Sequence, residues 1–87
     1  MERTILIVEE VSAQLEDILK RKFDINIFLS EEAKDIPLTA SPFMFNSFQL
    51  YELLMIIEER YQKYFSVSEI KRNGFSTFND VVNLILG

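Results

Sequence analysis

Apolar residues recur at helical spacing near the start of the chain. The stripe runs from Val8 through Leu15 to Phe23, and most positions between are polar or charged. A period near 3.6 residues with a polar opposite side is typical of a helix that packs one face on a core. The pattern predicts a first helix from about residue 4 to residue 21.

Residues 24–46 show no sustained period and contain both prolines of the chain, Pro37 and Pro42. The segment is also rich in apolar side chains, so it is suited to pack over a core. We therefore expect a long ordered connection. Residues 25–29 have the composition of a short strand, but no second stretch of the sequence is suited to pair with them.

A second amphipathic stretch predicts a helix from about Ser47 to Tyr64. Its apolar side chains fall within one arc of the helix surface. They are Leu50, Leu53, Leu54, Ile57 and Tyr61. We expect Leu54 and Ile57 to lie in the core. Leu15 of the first helix and Val82 near the end of the chain are expected to pack there too.

Two capping patterns predict two shorter helices. Ser66 with Glu69 is a capping box for a short third helix, which Gly74 ends. Thr77 with Asp80 begins a fourth helix, whose apolar residues lie on one side. These elements predict an all-α fold with four helices and a long loop between the first two.

Composition limits what such a fold can do. The 87 residues are 48% hydrophobic and 26% charged, which is typical of one folded domain spanning residues 1–87. The chain has no cysteine and no histidine, so thiolate chemistry, cysteine or histidine metal sites and the usual proton shuttle are missing. We expect neither an enzyme nor a metal site. The net charge of −5 argues against a nucleic-acid partner.

The apolar runs of the sequence are short. The longest are Ile5–Val8 and Leu53–Ile57, far below the length of a membrane span. The start of the chain lacks a basic region followed by an apolar stretch. We therefore expect a cytoplasmic protein with no membrane partner.

Ser47 is the first candidate functional residue. It lies at the predicted start of the second helix, directly after an apolar loop. A hydroxyl there would be exposed beside the positive end of the helix dipole, on a rigid support. The alternative is that Ser47 only caps the helix, since serine is a favoured N-cap.

The side of the second helix away from its core stripe is unusually apolar. Phe48, Tyr51 and Met55 form an apolar strip there, and Glu52 and Glu59 form an acidic rim, with Glu58 at the border. Such a strip is typical of a binding surface. The alternative is that the preceding loop or a second copy of the chain covers the strip.

Residues 43–61, FMFNSFQLYELLMIIEERY, resemble the acyl carrier protein signature. In that signature a leucine–glycine–x–aspartate–serine–leucine turn opens the second helix. Phe43 takes the place of the first leucine, Asn46 that of the aspartate and Ser47 that of the serine. The other matches are Phe48 for the second leucine, the acidic Glu52, Glu58 and Glu59, the apolar Tyr51 and Met55, and the closing aromatic Tyr61.

The resemblance covers residues 37–86 and implies a small four-helix bundle of acyl-carrier type. It implies that Ser47 carries a covalent 4′-phosphopantetheine arm, taken from coenzyme A by a magnesium-dependent phosphopantetheinyl transferase. The arm would hold an acyl, aminoacyl or peptidyl group as a thioester for loading and downstream biosynthetic enzymes. Asn46, the apolar strip, its acidic rim and Glu58 would contact those partners. A monomer is expected.

The chain departs from the signature at three positions. Asn46 replaces the aspartate, Met44 replaces the glycine, and Gln49 replaces an acidic residue two positions after the serine. The two acidic changes remove charge where the family's transferase docks, and such divergence suggests a specialised or degenerate carrier, such as an acyl-carrier-related protein of a bacterial peptide-maturation system. Two alternatives therefore stay open: a carrier-like docking adaptor that never receives the arm, and an unrelated helical interaction or dimerisation domain.

Overall fold

A computed structural model describes residues 8–26 and 29–87 of the chain. Its four α-helices are α1 (Val8–Phe23), α2 (Ser47–Tyr61), α3 (Val67–Asn73) and α4 (Phe78–Leu86), and a 3₁₀ turn spans Ala33–Asp35. The described ranges contain no strand and only one isolated bridge, between Pro37 and Thr77. The all-α class with a short third helix is confirmed. The predicted start of the first helix lies outside the described residues.

The core is built from one face of each long helix and from the loop before α2. Leu15, Ile57 and Val82 are buried in it, as expected. Leu54 is not: it is half-buried at the edge of the core, whereas its neighbour Leu53 is fully buried. The physical reason is that Leu53 and Ile57 stand one turn apart at the centre of the buried face, which places Leu54 on its flank.

Helix α1 extends slightly beyond its predicted end. Asp24 adopts a left-handed backbone conformation with φ of 58° and stops the helix after Phe23. The Ile25 N–H then donates to the Leu19 carbonyl over 3.0 Å. Aspartate is one of the few residues that tolerate this conformation, so the stop needs no glycine.

Helix α2 ends at Tyr61 and not at the predicted Tyr64. Gln62 takes the left-handed conformation with φ of 54°, and the Lys63 N–H donates to the Glu58 carbonyl over 3.0 Å. This is the Schellman arrangement of a helix end. It turns the chain so that Phe65 is buried in the core.

Two side chains tie the end of α2 to its neighbours. The Tyr61 hydroxyl donates to the Gln14 side-chain oxygen of α1, and burial raises the pKa of that hydroxyl. The Lys63 Nζ donates to the Ile85 carbonyl in the last turn of α4 over 2.6 Å. A cation at a helix C-terminus satisfies a carbonyl left free there and opposes the helix dipole favourably.

Both predicted capping boxes are present. In each, the side chain of Ser66 or Thr77 accepts the N–H three residues on, and the acidic residue at that position accepts back. The backbone hydrogen bond from Ser66 lowers the pKa of Glu69. Within residues 8–26 and 29–87, no helix has both the length and the apolar character needed to cross a membrane.

The different burial of two adjacent leucines gives a test of the fold. Leu53→Ala should lower the free energy of unfolding by about 2–5 kcal/mol, because it opens a cavity in the closed part of the core. Leu54→Ala should cost only about 1–2 kcal/mol, because solvent already reaches that side chain. Urea denaturation of both variants measures the difference. Equal losses would place Leu54 in the core and contradict the observed packing.

Candidate functional site

The loop before α2 is fixed through the backbone of one residue. The Leu38 N–H donates to the Ser76 carbonyl, between α3 and α4, over 2.7 Å. The Leu38 carbonyl accepts the Phe45 N–H over 2.8 Å. Because the Leu38 side chain is itself buried, these bonds connect the start of α2 to the turn between α3 and α4 inside the packed fold.

Two buried aromatic residues hold the last part of the loop. Phe43 and Phe45 both insert into the core. The ring of Phe45 lies 4.9 Å from the ring of Phe23, centroid to centroid, in a tilted arrangement. This distance is within the favourable range for aromatic pairs. The chain therefore reaches Asn46 at a defined place and direction.

Met44 lies between these two anchors and is strained. Its side chain is 66% exposed and its φ is 56°, in the left-handed region. A residue with a Cβ pays roughly 1–2 kcal/mol for that conformation. This is the position at which the acyl carrier signature has glycine. The backbone keeps the turn that a glycine would make, although the residue is a methionine.

Asn46, and not Ser47, caps α2. The Asn46 Oδ1 accepts the Gln49 N–H over 2.8 Å, and the Gln49 Oε1 accepts the Asn46 N–H over 2.9 Å. The alternative in which Ser47 caps the helix is therefore wrong. Ser47 is the first helical residue, it is exposed, and in the described part of the chain its hydroxyl has no hydrogen-bond partner. The hydroxyl is free to react or to bind.

The apolar strip is exposed along α2. The exposed fractions are 73% for Phe48, 61% for Tyr51 and 52% for Met55. Glu52 and Glu59 of the acidic rim are exposed as well. The loop before α2 leaves the strip uncovered, so the alternative in which the loop buries it does not hold in this chain.

Glu58 differs from the other acidic candidates. It is half-buried, and its Oε2 accepts the Phe65 N–H over 3.0 Å. This bond holds the chain as it leaves α2, so Glu58 has a structural contact of its own. The sequence pattern had indicated only partner contact for Glu58 and gave no sign of this bond.

The sequence did not indicate the residues that position the site from a distance. Leu38 and Ser76 act through backbone groups, which no side-chain pattern reveals. A contact away from the site was missed as well: the Lys34 side chain is largely buried, with Nζ 5.4 Å from the centre of the Phe78 ring and 3.8 Å from Glu16. A loop lysine between acidic residues gives no sequence signal of such a contact.

The exposed Ser47 hydroxyl at the start of α2 is placed where a group could be attached and presented. Across residues 8–26 and 29–87 no cluster of acidic residues is arranged to hold a metal ion. Ser47 lacks a neighbouring base that would activate it, in the part of the chain that the structure describes. An exposed hydroxyl on a rigid helix end can accept a group that another enzyme transfers.

Comparison with protein-family models, curated proteins and solved structures finds no match to this chain.

Met44 offers a direct test of the loop geometry. Met44→Gly should be more stable than Met44→Ala by about 1 kcal/mol, because both remove the exposed side chain and only glycine relieves the left-handed backbone. Thermal and urea unfolding of the two variants measure this difference. Equal stability, or a more stable alanine variant, would show that residue 44 does not adopt a positive φ.

Proposed function

We propose that this chain is a carrier domain of acyl-carrier type that receives a 4′-phosphopantetheine arm on Ser47. The observation that carries the proposal is the position of Ser47: exposed, first in α2, and relieved of the capping role by Asn46. The signature resemblance of residues 43–61 supports it independently. Cargo held on the arm as a thioester would be delivered to partner enzymes of a specialised pathway.

The surroundings of Ser47 suit a phosphodiester. The first turn of α2 contains no acidic residue. The first N–H groups of a helix lack intrahelical partners, and the helix dipole favours negative charge at that end. A phosphate group on the Ser47 oxygen would therefore meet donors and no carboxylate within that turn. The chain's own residues fit the group that the proposal assigns to them.

The attachment step needs a partner enzyme. Ser47 Oγ would attack the phosphorus of coenzyme A that carries the pantetheine arm, forming an O–P bond as the nucleotide half of coenzyme A leaves. The hydroxyl proton would pass to a base on the transferase, since the described residues place none beside Ser47. The loop anchors keep the hydroxyl in a constant position for this approach.

The apolar strip and its acidic rim would serve as the docking surface. Tyr51 and Met55 are one helical turn apart, so their side chains form a continuous apolar patch. Apolar contact would provide affinity, and the carboxylates of Glu52 and Glu59 would steer a basic partner surface. Such docking surfaces are offered to the transferase and then to the loading and downstream enzymes.

Modification of Ser47 is the primary test. After incubation with coenzyme A, magnesium and a broad-specificity phosphopantetheinyl transferase, the wild type should gain one phosphopantetheinyl mass by intact-protein mass spectrometry. Ser47→Ala should gain none. Ser68→Ala is the matched control, because Ser68 is an exposed serine in the first turn of another helix, and it should be modified like the wild type.

A negative result distinguishes the alternatives. The neutral first turn of α2, with Asn46 and Gln49 in place of acidic residues, favours the docking adaptor as the second candidate. Absence of any mass gain in both wild type and Asn46→Asp, with a competent carrier modified in the same tube, would support the adaptor. Scattering measurements that give a dimer dependent on Phe48 and Tyr51 would instead support the dimerisation domain.

Replacement of Met55 by lysine tests the docking surface. Met55→Lys should weaken binding of the transferase while the melting temperature changes by only a few degrees, since the side chain is exposed. Val67→Lys is the control, because Val67 is an exposed apolar residue on α3. Unfolding of Met55→Lys would show that the residue belongs to the core and that the partner surface lies elsewhere.

The acidic rim has a charge-matched test. Glu52→Lys with Glu59→Lys should weaken transferase binding and flatten its dependence on salt, because exposed charges act over a Debye length of about 8–10 Å. Glu31→Lys with Glu32→Lys makes the same change in net charge on the loop and should retain most of the binding. Titration calorimetry at several salt concentrations compares the two pairs. Equal losses of binding in the two pairs would show that net charge alone causes the effect, and would contradict a specific role for Glu52 and Glu59.

A further inference from the structure

The capping box at the start of α2 fixes the orientation of two side-chain amides. The Asn46 Oδ1 accepts the Gln49 N–H over 2.8 Å, and the Gln49 Oε1 accepts the Asn46 N–H over 2.9 Å. A backbone N–H is only a donor, so the atom that it meets must be the amide oxygen. The two amides therefore cannot exchange their oxygen and nitrogen positions without losing both bonds.

Both amide nitrogens are left for other partners. With the oxygens committed to the backbone, Asn46 Nδ2 and Gln49 Nε2 are the free ends of the two side chains. Neither nitrogen donates to another residue within the described ranges, where Asn46 is exposed and Gln49 half-exposed. The surface on either side of Ser47 in the sequence thus presents hydrogen-bond donors.

Acidic residues at positions 46 and 49 would present hydrogen-bond acceptors instead of donors. Aspartate at 46 and glutamate at 49 can make the same two inward bonds with one carboxylate oxygen each, as Glu69 and Asp80 do in the boxes of α3 and α4. Their second oxygens would then be acceptors and would carry charge. The replacement of two carboxylates by two amides changes two atoms beside Ser47 from acceptor to donor.

We propose that Asn46 and Gln49 determine which transferase recognises this chain, by requiring hydrogen-bond acceptors on the enzyme next to Ser47. The proposal rests on the proposed function of Ser47. Carboxylate or carbonyl oxygens on the transferase satisfy the two amide nitrogens. An arginine or lysine of the transferase at the same place would face the two amide nitrogens, which are also donors. The basic side chain would then lose its water on binding and gain no hydrogen-bond acceptor.

The transferase surface that would match α2 therefore changes in character along the helix. Next to Asn46 and Gln49 it offers acceptors, whereas one to three turns further on it is basic, to match Glu52 and Glu59. By charge complementarity, a second helix that is acidic from its first turn would be matched by a transferase surface that is basic throughout. The difference lies at the end of the helix where the reacting oxygen is held, so it acts on the rate of modification.

Asn46→Asp, Gln49→Glu and the double variant test the inference with near-isosteric changes. The inward oxygens are kept, and negative charge in the first turn favours the helix, so folding should be retained. The enzymes are a broad-specificity transferase with a basic carrier-binding face and versions of it in which each basic side chain of that face is changed in turn to glutamate. The measured quantity is kcat/KM for modification of Ser47.

The unaltered transferase and at least one glutamate version of it should prefer opposite substrates, the double variant and the wild type. The unaltered transferase should modify the double variant at least about tenfold faster than the wild type, because the basic side chain gains its acceptors. At least one glutamate version should modify the wild type faster than the double variant. Asn83→Asp, the same chemical change at an exposed position on α4, should alter neither rate by more than about twofold.

The outcomes separate this inference from the proposed function. Modification of wild type and double variant at equal rates by every enzyme version would overturn the inference and leave Ser47 as the attachment site. A faster unaltered transferase with no reversal in any glutamate version would also overturn it, since charge alone would explain the gain. Absence of modification in every combination would overturn both proposals.

Discussion

The peptide groups of Leu38 connect parts of the chain that are otherwise far apart. The N–H of this residue reaches the α3–α4 turn, and its carbonyl reaches Phe45 at the entry to α2. Burial of the side chain shields both bonds from water, where competition would weaken them. The direction in which α2 begins, and with it the placement of Ser47, depends on this buried residue together with the buried rings of Phe43 and Phe45.

The chain separates the residues that hold α2 from those that α2 presents. Leu53 and Ile57 face the core and are fully buried, whereas Phe48, Tyr51 and Met55 point away from it. The two ends of α2 differ in the same way. At its start, the uncharged amides of Asn46 and Gln49 lie beside the exposed Ser47. Just after its end, Lys63 binds the last turn of α4. Substitutions of the exposed Phe48, Tyr51 and Met55 should therefore have little effect on folding.

The helices and their caps were predictable because their signals are local. The stripe from Val8 and the boxes at Ser66 and Thr77 are contained in a few neighbouring residues, and the structure places helices at each. The end of α2 was predicted too late because Gln62 adopts a positive φ without being glycine. Leu54 was predicted to be buried because helical spacing alone does not distinguish the centre of a buried helix face from its flank.

For the candidate site, the sequence indicated the exposed strip. It also offered Ser47 as the cap of α2, whereas the cap is Asn46. Serine and asparagine are nearly equal as N-caps, so adjacent candidates cannot be ranked from propensity. The anchoring of the loop was beyond the sequence for a different reason. The bond between the Leu38 N–H and the Ser76 carbonyl joins backbone groups that are distant in the chain, so it depends on the packed fold.

Met44 has a consequence for the motion of the loop. The Phe43 and Met44 N–H groups both donate to the Ala40 carbonyl, each over 2.9 Å, so one displacement of that carbonyl releases both. The free energy held in the left-handed backbone of Met44 is recovered in the open form, which lowers the cost of opening. The two amide hydrogens should therefore exchange with solvent together, and sooner than those at the centre of α2.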